Sequence, residues 1–148
     1  MGPAVSRARV FVDADVIFAG AASPGTHSAS QIILAMGELT LIEAITSQQA
    51  VTEVERALAA KLPAKLPEFR LLAGRALRVV PDPAPAALAE YRGQADPKDL
   101  PLLVAALQHG CSFLVTFNTR HYFPAGGAIK VLRPGDLVLT IRQTLGQM

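Results

Sequence analysis

Residues 10–18 read VFVDADVIF, an apolar run interrupted by two aspartates, Asp13 and Asp15. An ionised carboxylate in a buried strand is costly unless a cation, a basic partner or a strand end open to solvent compensates it. Three more oxygen-bearing side chains fall where they can join the pair. Glu53 and Asp99 lie in the first turns of predicted helices, and Asn118 lies just past a predicted strand. In an open parallel sheet, ligands gather beyond the carboxyl ends of the strands, so these groups would meet at one rim. Converging carboxylates repel one another, and a divalent cation is their natural compensation. Oxygen donors favour Mg²⁺ or Mn²⁺ over zinc. No His/Cys cluster competes, because His27, His109 and His121 are scattered and Cys111 stands alone.

The elements that must position these residues follow from the pattern of apolar runs. Arg9 to Val12 reads as a buried strand ending at Asp13, and the small, Gly- and Pro-bearing stretch Ala19 to Thr26 as a loop. Ser28 suits the cap of a helix running to about Met36, with Gly37 as its stop. Leu39 to Ile45 is a second strand, and Thr46/Ser47 cap a helix from Gln48 to about Ala60. Pro63 and Pro67 break that helix, and a basic helix follows to Gly74. Ala76 to Val80 is a third strand, and the Pro-rich link PDPAPAA starts another helix with its final residues. In Asp96-Pro97-Lys98-Asp99, the residue types suit the N-cap, first and third positions of a helix ending near His109 and Gly110. Ser112 to Thr116 and Ile129 to Leu132 complete five strands, and Pro134-Gly135-Asp136 opens a last helix. Strands that are continuously apolar and alternate with helices mean a parallel sheet covered on both faces.

Composition agrees with a single globular domain over residues 1–148. Hydrophobic residues make up 51% and charged residues 18%, which excludes a disordered chain. One cysteine excludes an internal disulfide. No apolar run reaches the ~20 residues of a membrane span, and MGPAVSRARV lacks the apolar segment of a signal peptide. The expected compartment is the cytoplasm, with no membrane association. Between Arg56 and Arg78 six cations, Arg56, Lys61, Lys65, Arg70, Arg75 and Arg78, face a single acid, Glu68. Such a segment suits a polyanion such as RNA, or equally the solvated face of a helix.

Four pieces, in order and spread over nearly the whole chain, resemble the PIN-domain ribonucleases, including the toxins of VapBC-type toxin–antitoxin modules. VFVDADVIFAG is similar to the first-strand motif, ITSQQAVTEVERAL to the helix bearing a glutamate, DPKDLPLLVAAL to the helix bearing a second aspartate, and FLVTFNTRHYF to the fourth strand and its exit. The resemblance implies a three-layer α/β fold, a central parallel sheet of about five strands with helices on both faces. It implies that Asp13, Glu53 and Asp99 bind Mg²⁺ or Mn²⁺ and that Asn118 completes the catalytic set. Asn118 departs from the acid found in many members, and Asp15 partly replaces that charge. Asp15 and Thr116 would support the ligands from behind, and Lys61, Lys65, Arg70 and Arg120 would meet RNA phosphates. Each has a plainer role open to it: Asp99 as a cap, Glu55 in place of Glu53, Asp15 as a turn former, Thr116 as a strand end, Arg120 and His121 as surface. The implied partners are an RNA substrate, a cognate antitoxin and a second copy of the chain. Ile32, Ile33, Leu34 and Met36, crowded on one short helix, supply apolar surface for the dimer or belong to the core.

Two other readings share the opening stretch. Asp13-Ala-Asp15-Val fits the first motif of haloacid-dehalogenase-type phosphatases, but only Lys130 and Asp136 follow the fourth strand where that family needs a lysine and an acidic pair. A phospho-accepting receiver domain would use Asp13/Asp15, Thr116 and Lys130, yet its phosphorylated aspartate could be only Asp82, too late in the chain. Neither accounts for Glu53 and Asp99.

Overall fold

The computed structural model describes residues 7–23 and 28–146. His27, the second half of the expected 19–26 loop and the residues at the start of the chain lie outside the described residues. Five strands form one parallel sheet in the order β3-β2-β1-β4-β5: β1 (Ala8–Val12), β2 (Ile42–Ser47), β3 (Arg78–Val80), β4 (Phe113–Val115) and β5 (Lys130–Leu132). The helices are α1 (Ala14–Ala22), α2 (Ala29–Glu38), α3 (Gln48–Lys61), α4 (Leu66–Ala76), α5 (Pro85–Leu88), α6 (Leu100–Gln108) and α7 (Pro134–Gly146). From β1 the chain steps outward twice in one direction, through α1–α2 and then α3–α4, and those helices pack on one another. The β3-to-β4 connection crosses back over the sheet, so right-handed crossovers put its helices α5 and α6 on the opposite face. The expected three layers are therefore present.

The central strand carries the core. Val10, Phe11 and Val12 have no solvent exposure, and Ile45, Leu58, Leu103, Leu114 and Leu137 are equally enclosed. Burying each such side chain stabilises the fold by about 1.5–3 kcal/mol. Thr46 is also fully enclosed on β2, where its hydroxyl donates to the Val12 carbonyl at 2.8 Å and ties β2 to the end of β1. Of the crowded α2 residues, Ile33, Leu34 and Met36 belong to this core and only Ile32 faces outward.

Several boundaries differ from the sequence expectation, each for a physical reason. Residues 14–22 form α1 where the second half was expected as loop. Asp13 caps the helix, accepting from the Ala14 N–H at 2.7 Å, while its own carbonyl accepts from Val16 and Ile17. Packing on α2 and α3 then overrides the weak helix propensity of Val16, Ile17 and Gly20. Gly37 does not stop α2. It lies inside the helix because a Cβ there would sit 2.5 Å from the Ala76 carbonyl oxygen, a close approach that no side chain permits. Helix α4 likewise passes Gly74 to end at Ala76, and β2 and β3 start at Ile42 and Arg78, later than expected. Asp96-Pro97 begins a turn rather than α6 itself: Asp99 and Leu100 N–H both donate to the Asp96 carbonyl, and Asp99 flanks the helix start.

Candidate active site

The strand order reverses between β1 and β4, the crevice where open sheets of this kind take ligands. Asp13 leaves β1 at that point and Thr116 leaves β4 beside it, joined by the Asp13 N–H donating to the Val115 carbonyl at 3.0 Å. Asp13 is 6% exposed. Its Oδ1 accepts from Ala14 N–H, and its Oδ2 accepts from the Thr116 hydroxyl at 2.9 Å and the Tyr122 hydroxyl at 2.8 Å. Burial, above all, pushes its pKa up despite these three bonds, and the charge of Asp99 adds to the rise.

Asp15 sits in the first turn of α1, where the helix N-terminus favours an acid. Its Oδ2 accepts from Phe117 N–H at 3.0 Å and Asn118 Nδ2 at 3.1 Å, with the Thr116 hydroxyl at 3.3 Å. Its Oδ1 is buried without a partner. Burial and then the Asp13 charge push Asp15 up to about 6. Among the described residues neither Asp13 nor Asp15 has an ion-pair partner. Asn118 thus reaches the rim as expected, holding Asp15 with its amide while its N–H donates to the Thr116 oxygen at 3.0 Å.

Asp99 makes no helix-capping bond, so its carboxylate is left for other work. Its Oδ2 lies 3.0 Å from His121 Nδ1, and Asp96 Oδ2 lies 3.6 Å from the same nitrogen. Asp96, Asp99 and His121 can place one ligand atom each within 4.8 Å of one another. His121, scattered in sequence, is therefore part of the rim. Glu53 is exposed on α3 and accepts from Gln49 Nε2 at 3.2 Å; the same amide donates to the Lys98 carbonyl at 3.1 Å, beside Asp99. Glu55 turns away to pair with Arg70 at 3.5 Å.

The basic segment is less bare than its sequence. Arg70 meets Glu55, Arg75 meets Glu38, Arg78 meets Glu43, and Lys65 meets Glu68. The three acids beyond Glu68 come from α2, β2 and α3. Lys61 lies over the Phe18 ring, 5.4 Å from its centre, and Arg120 is exposed on the turn Thr119–His121.

Tyr122 and His121 carry no local signal, and Asp96 signals only a helix start. They arrive through an antiparallel bridge between Ala95 and Tyr122 that no apolar periodicity announces. The donor set fits a hard divalent cation. Asp96, Asp99 and His121 can bring their ligand atoms together, and beside them Asp15 Oδ1 is buried and unpaired, with no Lys or Arg paired to Asp13 or Asp15 among the described residues.

Residues 9–120 match the model of the PIN domain, and the chain belongs to that family, a class of nucleases. Among solved structures it is similar to VapBC2 from Rickettsia felis bound to a DNA fragment from their promoter, with a TM-score of 0.63 and 13% identity. The match covers 83% of this chain and 96% of that one, and at this identity it speaks for the fold. No curated protein matches the chain. The receiver-domain reading falls on topology, because that fold orders its strands 2-1-3-4-5. The phosphatase reading yields to the family match.

Proposed function

We propose that this PIN-domain protein is a metal-dependent endoribonuclease and the toxin of a toxin–antitoxin pair. The observation that carries the reading is Asp13, a buried carboxylate without a cationic partner among the described residues, beside Asp15 and close enough to Asp99 to feel its charge. Asp13, Glu53 and Asp99 would hold Mg²⁺ or Mn²⁺. Bound there, the ion lowers the pKa of a water and stabilises charge on the scissile phosphate and the leaving oxygen. Asp15, Asn118 and Thr116 keep the carboxylates oriented through the hydrogen bonds described above. The products would carry a 5′-phosphate and a 3′-hydroxyl. Lys61, Lys65, Arg70 and Arg120 would guide RNA phosphates toward the rim.

The similar Rickettsia felis structure is by its description a VapBC2 assembly on promoter DNA, which supports a cognate antitoxin here. Its tail would cover the acids with an Arg or Lys, replacing the metal by charge pairing. The test is cleavage of single-stranded RNA with added Mg²⁺ or Mn²⁺. Wild type cuts, Asp13→Asn and Asp99→Asn lose at least about a hundredfold in rate, and EDTA abolishes activity. Variants that cut as fast as wild type with metal still required would sink the assignment.

A further inference from the structure

The segment Thr119–Phe123 sends two successive side chains into the rim. The Ala95–Tyr122 bridge, the Asp96 N–H bonded to the His121 carbonyl at 2.8 Å and the Phe123 N–H bonded to the Gln94 carbonyl at 2.7 Å pin this segment across the turn before α6. From there His121 Nδ1 lies 3.0 Å from Asp99 Oδ2, and the Tyr122 hydroxyl lies 2.8 Å from Asp13 Oδ2.

Counting lone pairs separates the two hydroxyls on Asp13. A carboxylate oxygen accepts at about two positions. Oδ2 uses both, on Thr116 and Tyr122, whereas Oδ1 uses one, on Ala14 N–H. Thr116 has one proton and two carboxylates within reach, Asp13 at 2.9 Å and Asp15 at 3.3 Å, so its donation is divided. Tyr122 is buried and bonds Asp13 alone. A phenol buried for packing alone needs any acceptor; this one closes the last position on an oxygen already engaged.

We propose that Tyr122 is a positioning residue of the acidic centre: its hydroxyl locks the Asp13 carboxylate so that Oδ1 offers its remaining lone pair to the divalent cation. This rests on reading the rim as a metal centre. Nothing in it requires Tyr122 to touch RNA.

The chain has two tyrosines, Tyr91 and Tyr122, and no tryptophan, so Tyr91→Phe leaves Tyr122 as the reporting fluorophore. A phenol donating to a carboxylate is quenched, and a cation drawing on the Asp13 charge relieves that. The expected result is an emission rise that saturates with Mg²⁺ and disappears when Asp13→Asn is added. In parallel, Tyr122→Phe keeps the ring and removes the hydroxyl. Calorimetric titration should then show Mn²⁺ binding weakened about tenfold or more, with the thermal midpoint shifted by only a few degrees. Unchanged Mn²⁺ affinity in Tyr122→Phe, or Tyr122 emission indifferent to Mg²⁺ that the protein binds through Asp13, overturns the positioning role while the metal centre stands. Wild type without Asp13-dependent Mn²⁺ binding overturns the metal centre, and the role with it. If Tyr122→Phe does not fold, the emission titration decides alone.

Discussion

Asp13 and Asp15 are held by hydroxyls and amides that satisfy their oxygens only in part, and among the described residues no Lys or Arg pairs with either. A ligand that binds the folded state alone stabilises it by about 2.7 kcal/mol at a hundred times its dissociation constant. Saturating Mg²⁺ should therefore raise the melting temperature of wild type by several degrees, and leave the Asp13→Asn/Asp99→Asn double variant unmoved. A differential scanning run with and without the ion checks this; an equal shift in both proteins would place the binding elsewhere. Cys111 offers a second residue-scale test. It is 3% exposed, and burial pushes its thiol up to about 12. At pH 8 the native protein should therefore resist iodoacetamide for hours, and label within minutes once guanidinium unfolds it. Rapid labelling of the native state would contradict the burial.

The elements show how much of this was readable beforehand. Asp13, Asp99 and Asn118 were legible because each sits where a continuous apolar strand ends or a helix-start signal stands, and a parallel sheet then collects those positions on one edge. The five strands were legible for the same reason. Helix α1 was not, because the small stretch from Ala19 reads as loop and Val16 and Ile17 give no helix signal until α2 and α3 pack on them. Tyr122 and His121 were not, because their delivery depends on an isolated bridge to Ala95, a contact between segments with no pattern of their own. Gly37 misled in the opposite direction, for its role is clearance rather than termination. Gly37→Ala must push the Ala76 carbonyl away, and should destabilise the fold by about 1–3 kcal/mol despite the better helix propensity of alanine. Urea denaturation measures it; a stabilised variant would show that α2 and α4 slide apart freely.

At the scale of the molecule, two surfaces remain to be assigned partners. Among the described residues no helix is long and apolar enough to cross a membrane, yet Ile32 in the first turn of α2 and Leu39 and Leu41 just beyond its end stand out into solvent. A homodimer through this region is the proposed use, and Ile32→Glu should then lower the mass seen by light scattering to that of one chain. A wild type that is monomeric at high concentration removes the dimer. The basic segment calls for a finer expectation than its sequence suggested. Since Lys65, Arg70, Arg75 and Arg78 each meet an acid, neutralising Lys61, Lys65 and Arg70 together should weaken RNA binding by no more than about tenfold at low salt, with the effect shrinking as salt rises. Unchanged RNA affinity would return these cations to a purely solvated role.

The bonds that set Asp13 also have a schedule. Its hydroxyl partners, Thr116 and Tyr122, lie 103 and 109 positions further along the chain. At about 5–20 residues per second, synthesis needs roughly 5–20 s to travel from the first acid to the phenol that steadies it. Contacts this distant in sequence also close late in folding. Through that interval a nascent chain carries Asp13 without the groups that orient it, and a fragment released before Tyr122 is translated carries it so permanently. On the proposed reading, interrupted translation would yield no working nuclease, and activity would appear only when a nearly whole chain, and time for a cognate antitoxin to meet it, were already in hand.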